Sequence, residues 1–235
     1  MLVPTAEKIH ALCPMSRLIE CLEEAFRTGS VAPERHVASV PGGSGERLLL
    51  LIPAFDSAGG GAVKFSTVCS DNQARGPPTI QGAIVVFSEA GTPTALLGGA
   101  AVTRLRTGAA SPLASKYLSR RDSSQLLIIG TGALAPYMAM AHWAVRPISR
   151  VSISGRSAER ESATADIVLC ATSRSTPVLA GRWLKRGAFV DFVGSFLPTK
   201  READDDVMRR CRIFVDALEG GAGGPGLRAG TCTSH

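Results

Sequence analysis

A glycine-rich turn in the second half of the chain constrains the fold more than any other feature of the sequence. Residues 130–135 read GTGALA, a GxGxxA segment that follows an apolar strand predicted over residues 125–129 and opens a helix predicted over residues 133–145. In such a unit the first glycine makes the tight turn, the second lets the backbone approach a pyrophosphate, and the small third residue lets helix and strand pack closely. The start of the helix adds unpaired N–H groups and partial positive charge. We predict dinucleotide binding here, by Gly130, Thr131, Gly132, Ala133 and Leu134. A glycine turn without a ligand remains the alternative.

The chain around this turn alternates strands with helices, which is typical of a parallel sheet. Further strands are predicted over residues 150–154, 166–171, 188–193 and 212–216, with a helix over residues 200–210. The acidic start of that helix suits the helix dipole, so we interpret it as a solvated face and not as a metal site. Only nine residues, 157–165, separate the second and third of these strands. A crossover between parallel strands takes about a dozen residues or more, so an abbreviated Rossmann-type sheet is expected.

The first half of the chain predicts a different sheet. Strand-like runs over residues 47–55, 62–69 and 82–87 follow one another without room for helices between them, which favours a mainly antiparallel sheet over residues 47–98. Helices are expected over residues 16–28 and 103–118, and Pro112 should kink or split the second of them. The fold class is therefore α/β, with two domains at 1–118 and 119–217. The glycine-rich residues 218–235 lack apolar periodicity and are expected to form a flexible tail.

The amino-acid composition limits the classes of ligand that the chain is expected to bind. The net charge is +6, but aromatic residues make up only 5% of the chain and do not interleave with the basic ones, which disfavours nucleic acid and fits small anionic ligands. The longest apolar run, residues 48–55, is too short to span a membrane. Six cysteines form no CxxC pair, which predicts reduced thiols, a cytoplasmic protein and no metal site.

The end of the second strand of the parallel sheet bears on the type of cofactor. NAD-specific sites usually carry a carboxylate there for the ribose 2′-hydroxyl. This chain reads Ser154-Gly155-Arg156-Ser157, with no carboxylate before Glu159. Because an arginine binds a 2′-phosphate well, we expect NADP(H) to be favoured over NAD(H), with Arg156 and Ser157 as contacts. An exposed loop arginine is the alternative.

Three cations in the first domain are candidate ligands for an anion. Lys64 lies inside an otherwise apolar strand, and Arg106 lies near the start of a helix, where the dipole also favours an anion. Arg35 is a weaker candidate. On the residues alone, ordinary surface charge explains each of them equally well.

Ten segments, in order, resemble the ornithine cyclodeaminase/mu-crystallin family, which includes pyrroline-2-carboxylate reductases. They are APERHV (32–37), LLLLIPAF (48–55), GAVKFSTV (61–68), RGPPTIQGA (75–83), TRLRTGAASPLASKYL (103–118), LLIIGTGALAPYMAMAH (126–142), RVSISGR (150–156), ADIVLCATS (165–173), WLKRGAFVDFVGSFLPTKREADDD (183–206) and RIFVDA (212–217).

The resemblance implies a homodimer whose first domain binds substrate and makes the dimer contact, and whose second domain binds the dinucleotide. It places Arg35, Lys64 and Arg106 on the substrate carboxylate, with Lys64 and Arg106 as the catalytic pair that fixes the substrate for hydride transfer. It also places Thr79, Gly132, Ala133, Arg156, Thr172, Val193, Gly194 and Ser195 against the dinucleotide.

Departures from the family pattern narrow the expected activity. Ornithine cyclodeaminases carry an acid/base aspartate where this chain has Phe196, which leaves water activation without a carboxylate. A reductase needs only a hydride and a protonated imine. We therefore expect NADPH-dependent reduction of cyclic ketimines, pyrroline-2-carboxylate or piperideine-2-carboxylate, to proline or pipecolate. The alternatives are an ornithine cyclodeaminase or amino-acid dehydrogenase of the same family, a non-catalytic protein that binds NADPH and a small carboxylate, and an inactive shortened member.

Overall fold

A computed structural model of the chain describes residues 1–42, 45–155, 158–172, 174–194, 200–215 and 228–232. The chain forms two compact units, Met1–Arg106 (unit 1) and Thr107–His235 (unit 2). The division falls within one helix, Gly99–Leu118, whereas the sequence analysis assigns that whole helix to the first domain.

Unit 1 is built on a five-stranded antiparallel sheet, as the run of consecutive strands predicts. Its elements in chain order are α1 (Ala6–Leu12), α2 (Met15–Thr28), β1 (His36–Ser39), β2 (Arg47–Phe55), β3 (Gly61–Cys69), α3 (Asn72–Arg75), β4 (Ile80–Phe87), β5 (Pro93–Gly98) and the start of α4 (Gly99–Leu118). The strand order is β1-β2-β3-β4-β5, with every neighbouring pair antiparallel. Strand β2 reads RLLLLIPAF, so it presents apolar side chains on both faces of the sheet, and it is half-buried along nearly its whole length.

Unit 2 carries the parallel sheet. Its further elements are β6 (Gln125–Ile129), α5 (Ala135–Trp143), β7 (Arg150–Ser154), α6 (Glu159–Ser162), β8 (Ile167–Cys170), a 3₁₀ turn (Gly181–Trp183), β9 (Phe189–Phe192), α7 (Asp205–Arg210), β10 (Cys211–Val215) and β11 (Arg228–Cys232). Strands β7, β6, β8 and β9 are neighbours in that order and all parallel, which confirms the Rossmann-type α/β class. The usual order of such sheets is 3-2-1-4-5-6, so the described sheet lacks the strand that would lie outside β7.

The core of unit 2 lies on both faces of this sheet. Alternate residues of β6 enter opposite clusters, with Leu126 and Ile128 packing among α5 residues such as Met138. Leu127 and Ile129 face the other side, where Val207 of α7 is buried. This two-sided burial explains why the parallel strands read as continuous apolar runs without alternation.

Four expectations differ from the structure. Residues 218–235 were expected to be a flexible tail, but Arg228–Cys232 forms β11, which pairs antiparallel with both β9 and β10 and so separates β10 from the parallel strands. Strand pairing uses backbone groups, so this strand needs no apolar pattern of its own. Pro112 does not split α4, since Pro112 and its neighbours are buried and packing outweighs one lost backbone donor.

The last helix begins only at Asp205, because the side chain of Asp204 caps it by accepting from the N–H of Val207. Cys211 is disulfide-bonded, whereas Cys13, Cys21, Cys69 and Cys170 are free thiols.

Candidate active site

The ends of four parallel strands define a candidate binding edge in unit 2. Gly130 follows β6, Gly155 follows β7, Thr172 lies just after β8, and Gly194 lies just after β9. Because parallel strands end at the same edge of a sheet, these positions lie together. Strand β7 lies on one side of β6, and β8, the next strand along the chain, lies on the other side. The strand order therefore reverses between β6 and β8, and ligands of open α/β sheets bind at such a switch point.

The glycine turn fits a phosphate group. Gly130 has φ of 132°, and a Cβ added there would lie 2.5 Å from the carbonyl oxygen of Ala171, so only glycine is accommodated. Thr131, Gly132 and Ala133 are exposed, and no other atom lies within 4 Å of the position a Gly132 side chain would take. Leu134 precedes the first residue of α5. The turn thus leaves backbone N–H groups and open space at a helix start, the arrangement that a dinucleotide pyrophosphate needs.

The small residue that ends the motif does what the pattern predicts. Ala135 opens α5 and is only 3% exposed, and its N–H donates to the carbonyl oxygen of Gly132 at 3.1 Å. Gly130 donates its own N–H to the carbonyl oxygen of Ser154, at the end of β7, at 2.8 Å. The turn is therefore tied to the neighbouring strand and is positioned before any ligand arrives.

A buried carboxylate joins the ends of β8 and β9. The Oε1 atom of Glu202 accepts from the Thr172 N–H at 2.6 Å and from the Thr172 hydroxyl at 2.9 Å, and Oε2 accepts from the Gly194 N–H at 2.8 Å. Glu202 is 1% exposed. Gly194 is obligatory, because a Cβ there would lie 1.8 Å from the carbonyl oxygen of Thr172.

Glu202 has surroundings different from those predicted for it. The predicted helix over residues 200–210 includes Glu202 in its acidic, solvated start, but Glu202 precedes the cap residue Asp204 and is buried. A signal was available, since an aspartate immediately before a helix is a common N-cap and would have put Glu202 outside the helix. Its partners, 8 and 30 residues away, could not be found from local pattern.

Other residues predicted against the dinucleotide are placed as follows. Val193 is half-buried, and its N–H donates to the carbonyl oxygen of Cys170 at 2.9 Å. Thr79 belongs to unit 1, is half-buried, and accepts at its carbonyl oxygen from the N–H of Cys69 at 2.8 Å. Arg156, Ser157 and Ser195 lie outside the described residues.

Three positive charges act on one another in unit 1. The Lys64 ammonium, on β3, donates to the Thr103 hydroxyl of α4 at 3.0 Å. Burial lowers the pKa of Lys64, and the charges of Arg106 and Arg35 lower it further. Arg35 precedes β1, and both arginines are exposed. The structure therefore brings Arg106 and Arg35 within electrostatic reach of Lys64, and such a group of positive charges favours an anion.

No group of three or more histidine, cysteine, aspartate or glutamate side chains could hold a metal ion among the residues that the structure describes. In the same part of the chain, no helix is both long enough and apolar enough to cross a membrane.

A Rossmann-type sheet with a candidate nucleotide-binding edge, together with an antiparallel sheet that carries a cationic cluster, defines a two-unit α/β protein of the Rossmann type. The model of the ornithine cyclodeaminase/mu-crystallin family matches residues 1–165 and 154–223, and the chain belongs to this family. The predicted resemblance is thereby confirmed. The two matched segments overlap at the short crossover between β7 and β8.

Named relatives are mostly imine reductases. The chain is 31% identical over 246 residues to Δ1-pyrroline-2-carboxylate reductase of Colwellia psychrerythraea, covering 93% of this chain and 78% of the relative. The structure of Thermococcus litoralis Δ1-pyrroline-2-carboxylate reductase in complex with NADH and L-proline matches with a TM-score of 0.85 and 27% identity, over 96% of this chain and 78% of that one. An archaeal alanine dehydrogenase dimer with bound NAD matches with a TM-score of 0.83 and 27% identity, over 95% and 77%.

Proposed function

We propose that this chain reduces a cyclic imino acid of the pyrroline-2-carboxylate type to the corresponding amino acid with a nicotinamide cofactor. The observation that carries the proposal is the half-buried ammonium of Lys64, which Thr103 holds and which lies within electrostatic reach of Arg106 and Arg35. A small carboxylate bound to this cluster would reduce the repulsion between the three positive charges. The named relatives that reduce pyrroline-2-carboxylate support this choice of anion.

The cluster also suits the geometry of the reaction. Lys64 lies in the middle of a strand, and its ammonium is held by Thr103, so it offers a fixed charge rather than a flexible surface lysine. An arginine beside it can bind a carboxylate with two parallel hydrogen bonds. Fixing the carboxylate orients the adjacent imine carbon, so we assign Lys64 and Arg106 the positioning of the reacting atom. The imine carbon gains a hydride and its protonated nitrogen becomes the amine.

The glycine turn and the ends of β8 and β9 would hold the cofactor, which supplies the hydride when bound. We propose Gly130, Thr131, Gly132, Ala133 and Leu134 at the pyrophosphate, and Thr172, Val193, Gly194, Ser195 and Thr79 at the rest of the molecule. A preference for NADPH over NADH rests on the sequence at Arg156 and Ser157. A cytoplasmic location belongs to the same proposal, because the reaction consumes reduced cofactor.

We also propose that the protein is a homodimer through the sheet of unit 1. Apolar side chains on this sheet keep substantial exposure, including Phe65 at 40%, Val37 at 49% and Ile80 at 45%. A sheet with apolar residues on both faces is usual where another surface covers it. The related alanine dehydrogenase is described as a dimer. Light scattering on the purified chain, with Phe65→Glu as the disrupting variant, tests the assembly.

The activity test follows absorbance at 340 nm with pyrroline-2-carboxylate or piperideine-2-carboxylate and either NADPH or NADH. We expect oxidation of the cofactor, with NADPH the better donor. Lys64→Met should raise the KM for the imino acid by about 10-fold or more, since it removes a charged contact. Arg17→Met, at an exposed side chain of α2, is the matched control. Cofactor binding without turnover on either imine would instead favour the non-catalytic alternative, and ammonia release from ornithine would favour a cyclodeaminase.

A further inference from the structure

We infer that Glu202 is a positioning residue for the nicotinamide cofactor, an inference that rests on the proposed function. Its carboxylate spans two strand ends that belong to different segments of the chain, Thr172 after β8 and Gly194 after β9. Both ends lie at the edge where a Rossmann-type sheet binds its ligand. Glu202 itself is buried, so its contribution comes through these two residues and not through contact with the cofactor.

The backbone of Glu202 is fixed as firmly as its side chain. Its carbonyl oxygen accepts from the N–H groups of Val178 and Leu179 at 2.9 and 3.0 Å. Ala203, the next residue, forms a parallel bridge with Leu179. The carboxylate therefore projects from an anchored segment, and it can hold the two strand ends in one arrangement.

The glycine turn is coupled to the same support. A side chain on Gly130 would collide with the carbonyl of Ala171, the residue before Thr172. Ala171 donates its N–H to the carbonyl oxygen of Ile129 at 2.9 Å, immediately before the turn. A shift of Thr172 would thus move the surface on which Gly130 packs. Because Glu202 fixes Thr172, it sets the positions of the phosphate-binding turn and of the β9 end together.

The hydrogen bonds also define which atoms remain for a ligand. The Thr172 N–H, the Thr172 hydroxyl and the Gly194 N–H are all donated to Glu202. Thr172 and Gly194 therefore contribute to cofactor binding through the shape of the strand ends. Their three donor groups are already used by Glu202 and do not donate to a phosphate. Removal of the carboxylate would leave these three donors without an acceptor, and an unsatisfied buried donor destabilises the folded state.

The experiment uses Glu202→Gln in the full chain. The amide oxygen can accept from one strand end, but the amide nitrogen then faces the N–H donor of the other. We expect the KM for NADPH and NADH to rise by about 10-fold or more, while the KM for the imino acid stays within about twofold. Thr172→Val removes only the hydroxyl donor and should give a smaller rise. Asp122→Asn, at a carboxylate that is 81% exposed, is the matched control and should leave both KM values unchanged.

Tryptophan fluorescence checks folding of unit 2 in each variant, because both tryptophans, Trp143 and Trp183, lie there. If Glu202→Gln is unfolded, Glu202→Asp, which keeps the carboxylate but shortens its reach to Thr172 and Gly194, decides by the same split between the two KM values. Equal cofactor KM values in the wild type and in the folded variant would overturn the inference and leave the proposed function intact. Parallel rises in both KM values would also overturn it. A wild-type chain that binds neither NADPH nor NADH would refute the inference and the proposed function together.

Discussion

The stability of unit 2 should depend on the buried carboxylate of Asp166, which immediately precedes β8. Its Oδ1 accepts from Arg120 and from Lys185, each at 2.7 Å, and its Oδ2 accepts from the N–H groups of Ser124 and Gln125 at 2.9 and 3.0 Å. Burial alone would raise the pKa of Asp166. The hydrogen bonds from Lys185 and from the two backbone N–H groups, with the charge of Lys185, outweigh burial and lower the pKa to about 2.

The lowered pKa sets both the size and the sign of the effect. A carboxyl group with a pKa of about 2 in the folded chain and 3.8 in the unfolded chain stabilises the folded state by about 2 kcal/mol at neutral pH. This stability is present above pH 3.8 and is lost as the pH falls through 3.8 toward 2. At pH 3 about half of it should remain. Asp166→Asn keeps the shape but not the charge, so it should lower the free energy of unfolding by about 2–3 kcal/mol at pH 7.

The assay is guanidinium unfolding followed by tryptophan fluorescence, which reports on unit 2 because Trp143 and Trp183 both lie there. The difference in unfolding free energy between the wild type and Asp166→Asn should shrink by about 1 kcal/mol between pH 7 and pH 3. Asp122→Asn, an exposed carboxylate that also contacts Arg120, should cost under about 0.5 kcal/mol. A difference between wild type and Asp166→Asn that is absent at pH 7, or that does not change with pH, would refute the reasoning.

Three further predictions concern unit 2 and the cationic cluster. Arg146 donates to the carbonyl oxygens that end α4, among them those of residues 115, 116, 119 and 120, so Arg146→Lys should lower the unfolding free energy of unit 2 by about 1–3 kcal/mol in the same assay. Gly130→Ala meets both a positive φ and the carbonyl of Ala171, so thermal shift should show a lower Tm and the loss of any stabilisation that the wild type gains from the proposed nicotinamide cofactor. Thr103→Val removes the acceptor for Lys64 and should raise the KM for the imino acid about 5- to 10-fold, whereas Thr103→Ser should retain it; equal KM values would contradict that role.

The parts of the fold that follow a local apolar pattern could be predicted from the sequence. Three predicted strands, over residues 47–55, 125–129 and 150–154, have the same bounds as β2, β6 and β7. The glycine turn could be placed for the same reason, since the strand before it and the helix after it are both local features. Antiparallel pairing in unit 1 followed from connections too short for helices.

Features that depend on distant backbone groups could not be predicted. Strand β11 reads RAGTC and has no apolar alternation, and it forms because β9 and β10 both offer unpaired edges to it. Glu202 lies in an acidic stretch whose other members sit in or cap the exposed start of α7, so only its long-range partners distinguish it. The cationic cluster was visible as three separate basic residues, but their proximity depends on the register of β3 and on the packing of α4.

The order of strands explains how a shortened sheet can keep a dinucleotide site. The crevice lies where the chain turns from β6 toward β7 on one side and β8 on the other, and the residues that shape it are Gly130, Thr172 and Gly194. The strand that the described sheet lacks would lie outside β7, on the side where such folds hold the adenosine ribose. The glycine turn, the β8 end and the β9 end keep their mutual supports through Ala171 and Glu202 without it. We therefore expect the shortening to affect the adenosine half of a bound cofactor, because the surface proposed for the pyrophosphate and the reactive half is built from strands that remain.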